Sequence, residues 1–130
     1  MHIGTVTLFV ADVERALDFY TRVLGWEKRH DFPMDDGTRW LTVAPAGEKT
    51  QFVLARGFGG WSADKVGGFT GVVLNVPDAE VAAAWMMAAG VEFTTPPAAM
   101  PWGIWAQFVD SEENELGLYS TVSTLAEAGG

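Results

Sequence analysis

The chain has 130 residues, 48% of them apolar, and contains no cysteine. That length fits one domain with a sizeable core, the apolar share argues against disorder, and the missing thiols rule out a disulfide framework or a thiolate metal site. Seventeen acidic against eight basic residues leave a net charge of −9, a field that repels a phosphate backbone and attracts cations, so nucleic acid is not expected as a partner.

The longest apolar run, Val81 to Val91, is far short of the roughly 20 residues that a membrane helix needs. The N-terminus has no basic region ahead of an apolar core. The expectation is a cytoplasmic protein with no membrane partner.

In chain order, Ile3 to Val10 is rich in β-branched residues and reads as a buried strand. Asp12 can cap a following helix, with Glu14 favourably placed in its first turn. Val13, Leu17, Tyr20 and Leu24 form an apolar stripe at helical spacing, and Gly25 stands where a left-handed residue closes a helix. A strand is expected over Trp26 to Phe32. Met34-Asp35-Asp36-Gly37 then turns the chain into a strand at Arg39 to Ala44. After a break at Pro45-Ala46-Gly47, Gln51 to Ala55 is a fourth strand. This first half, about residues 1–56, is βαβββ.

Arg56 to Gly68 holds five glycines in 13 residues without periodicity, and residues 57–68 read as a linker. The second half, about 69–120, repeats the plan. A strand at Phe69 to Val76 leads to a helix at Ala79 to Ala89 capped by Asp78, then a strand at Val91 to Thr95. The Pro-rich stretch PPAAMPWG reads as a loop. Strands at Ile104 to Asp110 and Glu115 to Tyr119 are joined by Ser111-Glu112-Glu113-Asn114. The tail, 121–130, has little to bury and is expected to fray.

The halves are copies of one another. VTLFVADVERALDFYTRVLGWE, from Val6, returns as VVLNVPDAEVAAAWMMAAGVE, from Val72. Asp12 falls on Asp78, Glu14 on Glu80 and Phe19 on Trp85 at an offset of 66, whereas Gly25 meets Gly90 at 65. Two copies are too few for a solenoid and describe one domain of two modules.

Paired modules with the opening TLFVADVERALDFYTRVLGWE and the closing hairpin QFVDSEENELGLY resemble the vicinal oxygen chelate superfamily of glyoxalases, extradiol dioxygenases and bleomycin resistance proteins. The closing turn, Asp110-Ser111-Glu112-Glu113-Asn114, departs from the family's usual D-P-D-G-N. The resemblance covers Ile3 to Tyr119. It implies an α+β fold, two tandem βαβββ modules forming a curved mixed sheet around a cavity with helices outside, and a homodimer.

Metal-using members of that superfamily take four His or Glu ligands from the first and last strands of each module. The resemblance places those positions at Thr5, Gln51 (or Val53, on the same strand face), Gly71 and Gly117. Such sites need imidazole or carboxylate donors, so no metal and no cofactor are expected. His2 and His30 read as surface or structural, and the pairs Asp35-Asp36 and Glu112-Glu113 read as turn residues. No catalytic residue stands out.

Aromatic surface is abundant, with six tryptophans. Trp26, Trp40 and Trp85 fit an ordinary core. Trp61 and Trp102 lie in loops that have little core to fill, where a dimer contact is the alternative use. Phe9 shares a strand face with Thr5 and Thr7. The expected ligand site is Thr5, Thr7, Phe9, Trp40, Gln51, Trp61, Gly71, Trp102, Trp105 and Gly117, suited to an aromatic or cationic small molecule. The expected function is metal-free binding of that molecule, with antibiotic or natural-product sequestration as one version. The competing readings are a metal-dependent lyase, isomerase or dioxygenase of the glyoxalase type, and a cavity-bearing protein that binds another protein.

Overall fold

A computed structural model of the protein describes residues 1–121. Most of the expected tail, 122–130, lies outside the described residues. The described residues divide into two compact units, one of residues 1–68 with 111–114, the other of 69–110 with 115–121.

The first unit holds β1 (Thr5–Phe9), α1 (Val13–Asp18), β2 (Glu27–Pro33), β3 (Arg39–Ala44) and β4 (Gln51–Ala55). Its sheet runs β1-β4-β3-β2, with β1 parallel to β4 and the other pairs antiparallel. Alternation along each strand sends Leu8, Leu41, Val43, Phe52 and Leu54 to one face, where they are buried. Against that face α1 and its extension bring Ala16, Phe19, Tyr20 and Leu24. The Tyr20 ring lies 5.0 Å from Trp26 and 6.0 Å, edge-on, from Phe52. Covering one such large side chain stabilises the fold by about 1.5–3 kcal/mol.

Asp12 does cap α1, accepting from the Arg15 N–H. The helix then differs from the sequence expectation, because Phe19–Val23 forms a π turn rather than continuing as α. The Leu24 N–H reaches back five residues to the Phe19 carbonyl at 3.0 Å. This is where the first copy carries its extra residue, since the repeat offset changes from 66 to 65 between Phe19 and Gly25. A π turn is the way a helix absorbs one inserted residue without losing its hydrogen bonds. Gly25, at φ +77°, closes the helix.

The segment 111–114 is fastened to this unit through its side chains. Glu112, buried, takes the Ala11 and Asp12 N–H groups on Oε1 and the Arg15 guanidinium on both oxygens. Asn114 donates to the Phe9 carbonyl and accepts from the Gly67 N–H. Residues 57–68, read from sequence as linker, include a 3₁₀ turn at Ala63–Lys65.

The second unit holds β5 (Gly68–Asn75), α2 (Ala79–Ala88), β6 (Glu92–Met100), β7 (Gly103–Val109) and β8 (Asn114–Ser120), in the order β5-β8-β7-β6. Asp78 caps α2 through the Glu80 and Val81 N–H groups. The helix buries Ala79, Ala82, Ala83 and Met86, at positions i, i+3, i+4 and i+7. On the sheet Ile104, Ala106, Phe108, Leu116 and Leu118 are buried in turn.

Two expectations are corrected here. Trp85 is not core: it falls outside that small-residue stripe and is 47% exposed. The Pro-rich stretch is not a loop, because β6 runs through Pro96 and Pro97 to Met100. An edge strand tolerates missing N–H donors, and the register shifts between Thr95 and Ala98 take up the two prolines as an irregularity.

Candidate functional site

Each sheet has one face covered by its helix and one that is not; Thr5, Thr7, Phe9, Trp40, Gln51, Trp105 and Gly117 lie on the helix-free faces, whereas Trp61 and Trp102 do not. In the first unit, Thr5, Thr7 and Phe9 of β1 stand beside Gln51, Val53 and Ala55 of β4. Val53 is opposite Thr42 of β3, Thr42 is opposite His30 of β2, and Trp40 is opposite Phe32. Gln51 and Val53 therefore share this face, two residues apart.

The polar groups of this face are linked. The Thr42 hydroxyl accepts from the His30 backbone N–H at 3.1 Å and donates to Gln51 Oε1 at 2.7 Å. Gln51 thus turns its carbonyl toward Thr42 and its NH2 away. Trp40 packs at 6.3 Å from Phe58, tilted by 34°, and Phe32 beside it is 49% exposed. One end of the face is aromatic and the other is polar.

The second unit has the same zoning. Gln107 of β7 lies between Gly117 of β8 and Thr95 of β6, and Trp105 lies between Tyr119 and Ala98. The Thr95 hydroxyl donates to Gln107 Oε1 at 3.0 Å. A Cβ at position 117 would stand 2.5 Å from Trp105 Cη2 and about as close as 3.0 Å to Cζ3. The indole therefore occupies the space of a side chain at 117. Gly71, at φ +76° in β5, is exposed and alternates with half-buried Val72.

The remaining tryptophans have other placements. Trp61 donates its indole N–H to the Val10 carbonyl at 2.9 Å and carries the Arg56 guanidinium 5.1 Å from its ring centre. Trp102, at the β6–β7 turn, is 63% exposed, and its carbonyl accepts the Tyr119 hydroxyl. A shallow hollow of about 340 Å³ lies instead beside α2, lined by Glu80, Ala83, Ala84, Met87 and Pro97. With one carboxylate among apolar atoms it lacks the convergent polar groups of a small-molecule site, so the helix-free faces are the stronger candidate.

The four positions that the resemblance assigns to metal ligands do not fit a divalent metal. Thr5 offers a neutral hydroxyl, Gln51 a carbonyl already engaged by Thr42, and Gly71 and Gly117 nothing. Among the described residues no group of three His, Asp or Glu side chains could hold a metal.

Sequence reasoning overlooked Thr42, Thr95 and Gln107. The signal was present in the repeat: WLTVA from Trp40 and WAQFV from Trp105 align at an offset of 65, which pairs Thr42 with Gln107. Ionic contacts concentrate elsewhere, on the helix side of the first unit. There the Arg39 guanidinium grips Asp31 and Glu14, and mainly through that bond Asp31 is held down to about 2.

Among the described residues no helix is long and apolar enough to cross a membrane. Comparison with known proteins gives the same fold. The crystal structure of TnmS3, an antibiotic binding protein from Streptomyces sp. CB03234, superposes with a TM-score of 0.80 at 32% identity, over 93% of this chain and 96% of that one. A superfamily member from Sphaerobacter thermophilus DSM 20745 gives 0.82 at 37% identity, over 92% and 97%. The uncharacterized protein YetH of Bacillus subtilis (strain 168) is 32% identical over 112 residues, 86% of this chain and 92% of that protein. The family profile of the Glyoxalase/Bleomycin resistance protein/Dioxygenase superfamily matches residues 2–117. With two four-stranded mixed sheets, one helix against each, the chain belongs to that superfamily.

Proposed function

We propose that this protein binds a small aromatic molecule without the help of a metal, as a cytoplasmic homodimer, and that the molecule is an antibiotic or a related natural product. The observation that carries the reading is the donor set. Where a metal-using member needs imidazole or carboxylate, this chain has Thr5, Gln51, Gly71 and Gly117, and an indole lies over the last of them. Half-buried aromatic rings beside hydroxyl and amide groups are the usual makeup of a small-molecule site. The likeness to an antibiotic binding protein at 32% identity supports the same reading.

Native mass spectrometry of freshly purified protein tests metal, ligand and assembly together. The expected result is a dimer with no stoichiometric Zn, Ni, Mn or Fe. About one tightly held metal per chain, as a structural or catalytic site requires, overturns the metal-free reading. A stable monomer near 14.0 kDa overturns the dimer.

A further inference from the structure

We propose that the outer face of α2 is a docking surface for a basic amphipathic helix of another protein. The apolar stripe of that helix packs on Val81, Ala84, Trp85 and Ala88, and its cations meet Glu80 and Glu92.

α2 is apolar on both sides. Its inward stripe, Ala79, Ala82, Ala83 and Met86, is buried. Val81, Ala84, Trp85 and Ala88 repeat the same i, i+3, i+4, i+7 spacing on the outside, where all four are exposed. The fold itself does not demand this. At the repeat offset of 66 the first copy has Arg15 and Asp18 where the second has Val81 and Ala84, and both are exposed charges on α1. A helix that is apolar all round is normally covered all round. Trp85 supplies a large anchor of the kind that dominates interfaces, and the alanines on either side of it let a second helix axis come close. Beside the stripe lies the shallow hollow formed by Ala83, Ala84, Met87 and Pro97, with Glu80 as its one charged group. An apolar trough with a single carboxylate suits the stem and head of a lysine or arginine.

Charge selects the partner. All eight basic residues and both histidines precede residue 69, whereas eight of the seventeen acids follow it. The second half therefore holds eight of the nine net negative charges. Glu80 in the first turn of α2 and Glu92 just past its end flank the stripe, and no Lys, Arg or His belongs to the second unit. A second copy of α2 would set carboxylates against carboxylates. The bases of the first unit are engaged, since Arg15, Arg22, Lys28, Arg29 and Arg39 are all ion-paired. An anionic membrane surface is repelled. A foreign helix with Lys or Arg along the margins of a leucine stripe is complementary in both shape and charge.

Two fluorescein-labelled peptides test this: LKKLLKLLKKLLKL and its counterpart with Glu for every Lys, titrated with the full-length protein and read by anisotropy. The lysine peptide is expected to bind, more weakly as salt rises, and the glutamate peptide not to bind. Trp85→Ala is expected to weaken the lysine peptide about thirtyfold, the effect of losing a central anchor, while the urea midpoint stays in place. Glu80→Gln combined with Glu92→Gln is expected to weaken it about threefold, as exposed ion pairs do, and to flatten the salt dependence. Should Trp85→Ala not fold, Ala84→Arg decides instead: it puts a good helix former at an exposed position and should abolish binding through bulk and like charge. Absence of binding by the lysine peptide, equal binding of both peptides, or full affinity in either variant overturns the proposal. Sedimentation in which the wild type is a dimer and Ala84→Arg a monomer overturns it too, by giving the face to a second copy.

Discussion

Replacing Glu112 by glutamine tests how the segment 111–114 is held. The carboxylate is buried and accepts from five donors: the backbone N–H groups of Ala11 and Asp12 at 3.0 and 2.8 Å, Arg15 Nε and Nη2 at 2.7 and 3.1 Å, and the Ser111 hydroxyl at 2.9 Å. Glutamine keeps the shape but offers one oxygen in place of two; with that oxygen in the Oε1 position, its NH2 meets Arg15 Nε, which can only donate, and the Ser111 hydroxyl, which can turn to accept. Arg15 is 54% exposed and can turn into water, so its share of the loss is small. The Ala11 and Asp12 N–H groups are part-buried at the start of α1 and depend on Glu112 Oε1. Both stay on the amide oxygen of glutamine, but each bond drops from charge-assisted to neutral, about 1 kcal/mol apiece, so the expected loss is about 2 kcal/mol. Urea unfolding at pH 7 measures it. The pH dependence is the sharper part. Burial alone would raise the Glu112 carboxyl, but the bonds from Arg15, the Asp12 N–H and Ser111 outweigh it and hold the group below its ordinary 4.5. A depressed carboxylate stabilises fully above its unfolded value and loses that contribution as pH falls through the folded one. Wild type should therefore keep its advantage over Glu112→Gln down to about pH 4.5 and lose it in stronger acid. A gap under about 0.5 kcal/mol at pH 7, within the range of ordinary surface changes, would refute the argument.

Two further outcomes follow from the first unit. Asp31, held by Arg39 and, less strongly, by Lys28, should titrate near 2 by carbon-13 NMR of its carboxyl. Arg39→Met should return the midpoint toward the ordinary 3.8. Gly25→Ala meets no atom within 4 Å but must sit at φ +77°, so its cost should be conformational alone, about 1 kcal/mol by urea unfolding. No loss at all would contradict the left-handed helix end.

Much of the architecture is legible in the sequence where one local rule acts alone. Arg39 to Ala44 and Gln51 to Ala55 are strands with the bounds their β-branched and apolar runs suggest, and Asp12 and Asp78 cap because a short carboxylate before an apolar stripe has little else to do. Where partners decide, the signal is absent. Pro96 and Pro97 read as a loop because nothing local says that their strand lies at a sheet edge. Trp85 reads as core by its place in an apolar helix, yet the small residues Ala82 and Ala83 are what face the sheet. On the candidate site, alternation along β1 put Thr5, Thr7 and Phe9 on one face. The bond from Thr42 to Gln51 depends on cross-strand register, which composition does not carry. From sequence the glycine at 117 is a missing ligand; only folding of the β7–β8 hairpin brings the indole over it.

The π turn at Phe19–Val23 has a consequence for how a doubled chain can age. After a duplication, the two copies are free to differ in length only where a residue can enter or leave without rotating everything downstream. In a strand a single insertion exchanges the two faces; in a regular helix it turns the following stripe by about 100°. A wide helical turn instead stores the added residue locally, so Gly25 and Trp26 meet the sheet as Gly90 and Val91 do in the other copy. Removing one residue from that turn would make the first copy as long as the second. The helix is thus the place where the ancestry of the halves has been allowed to blur while their common plan survived.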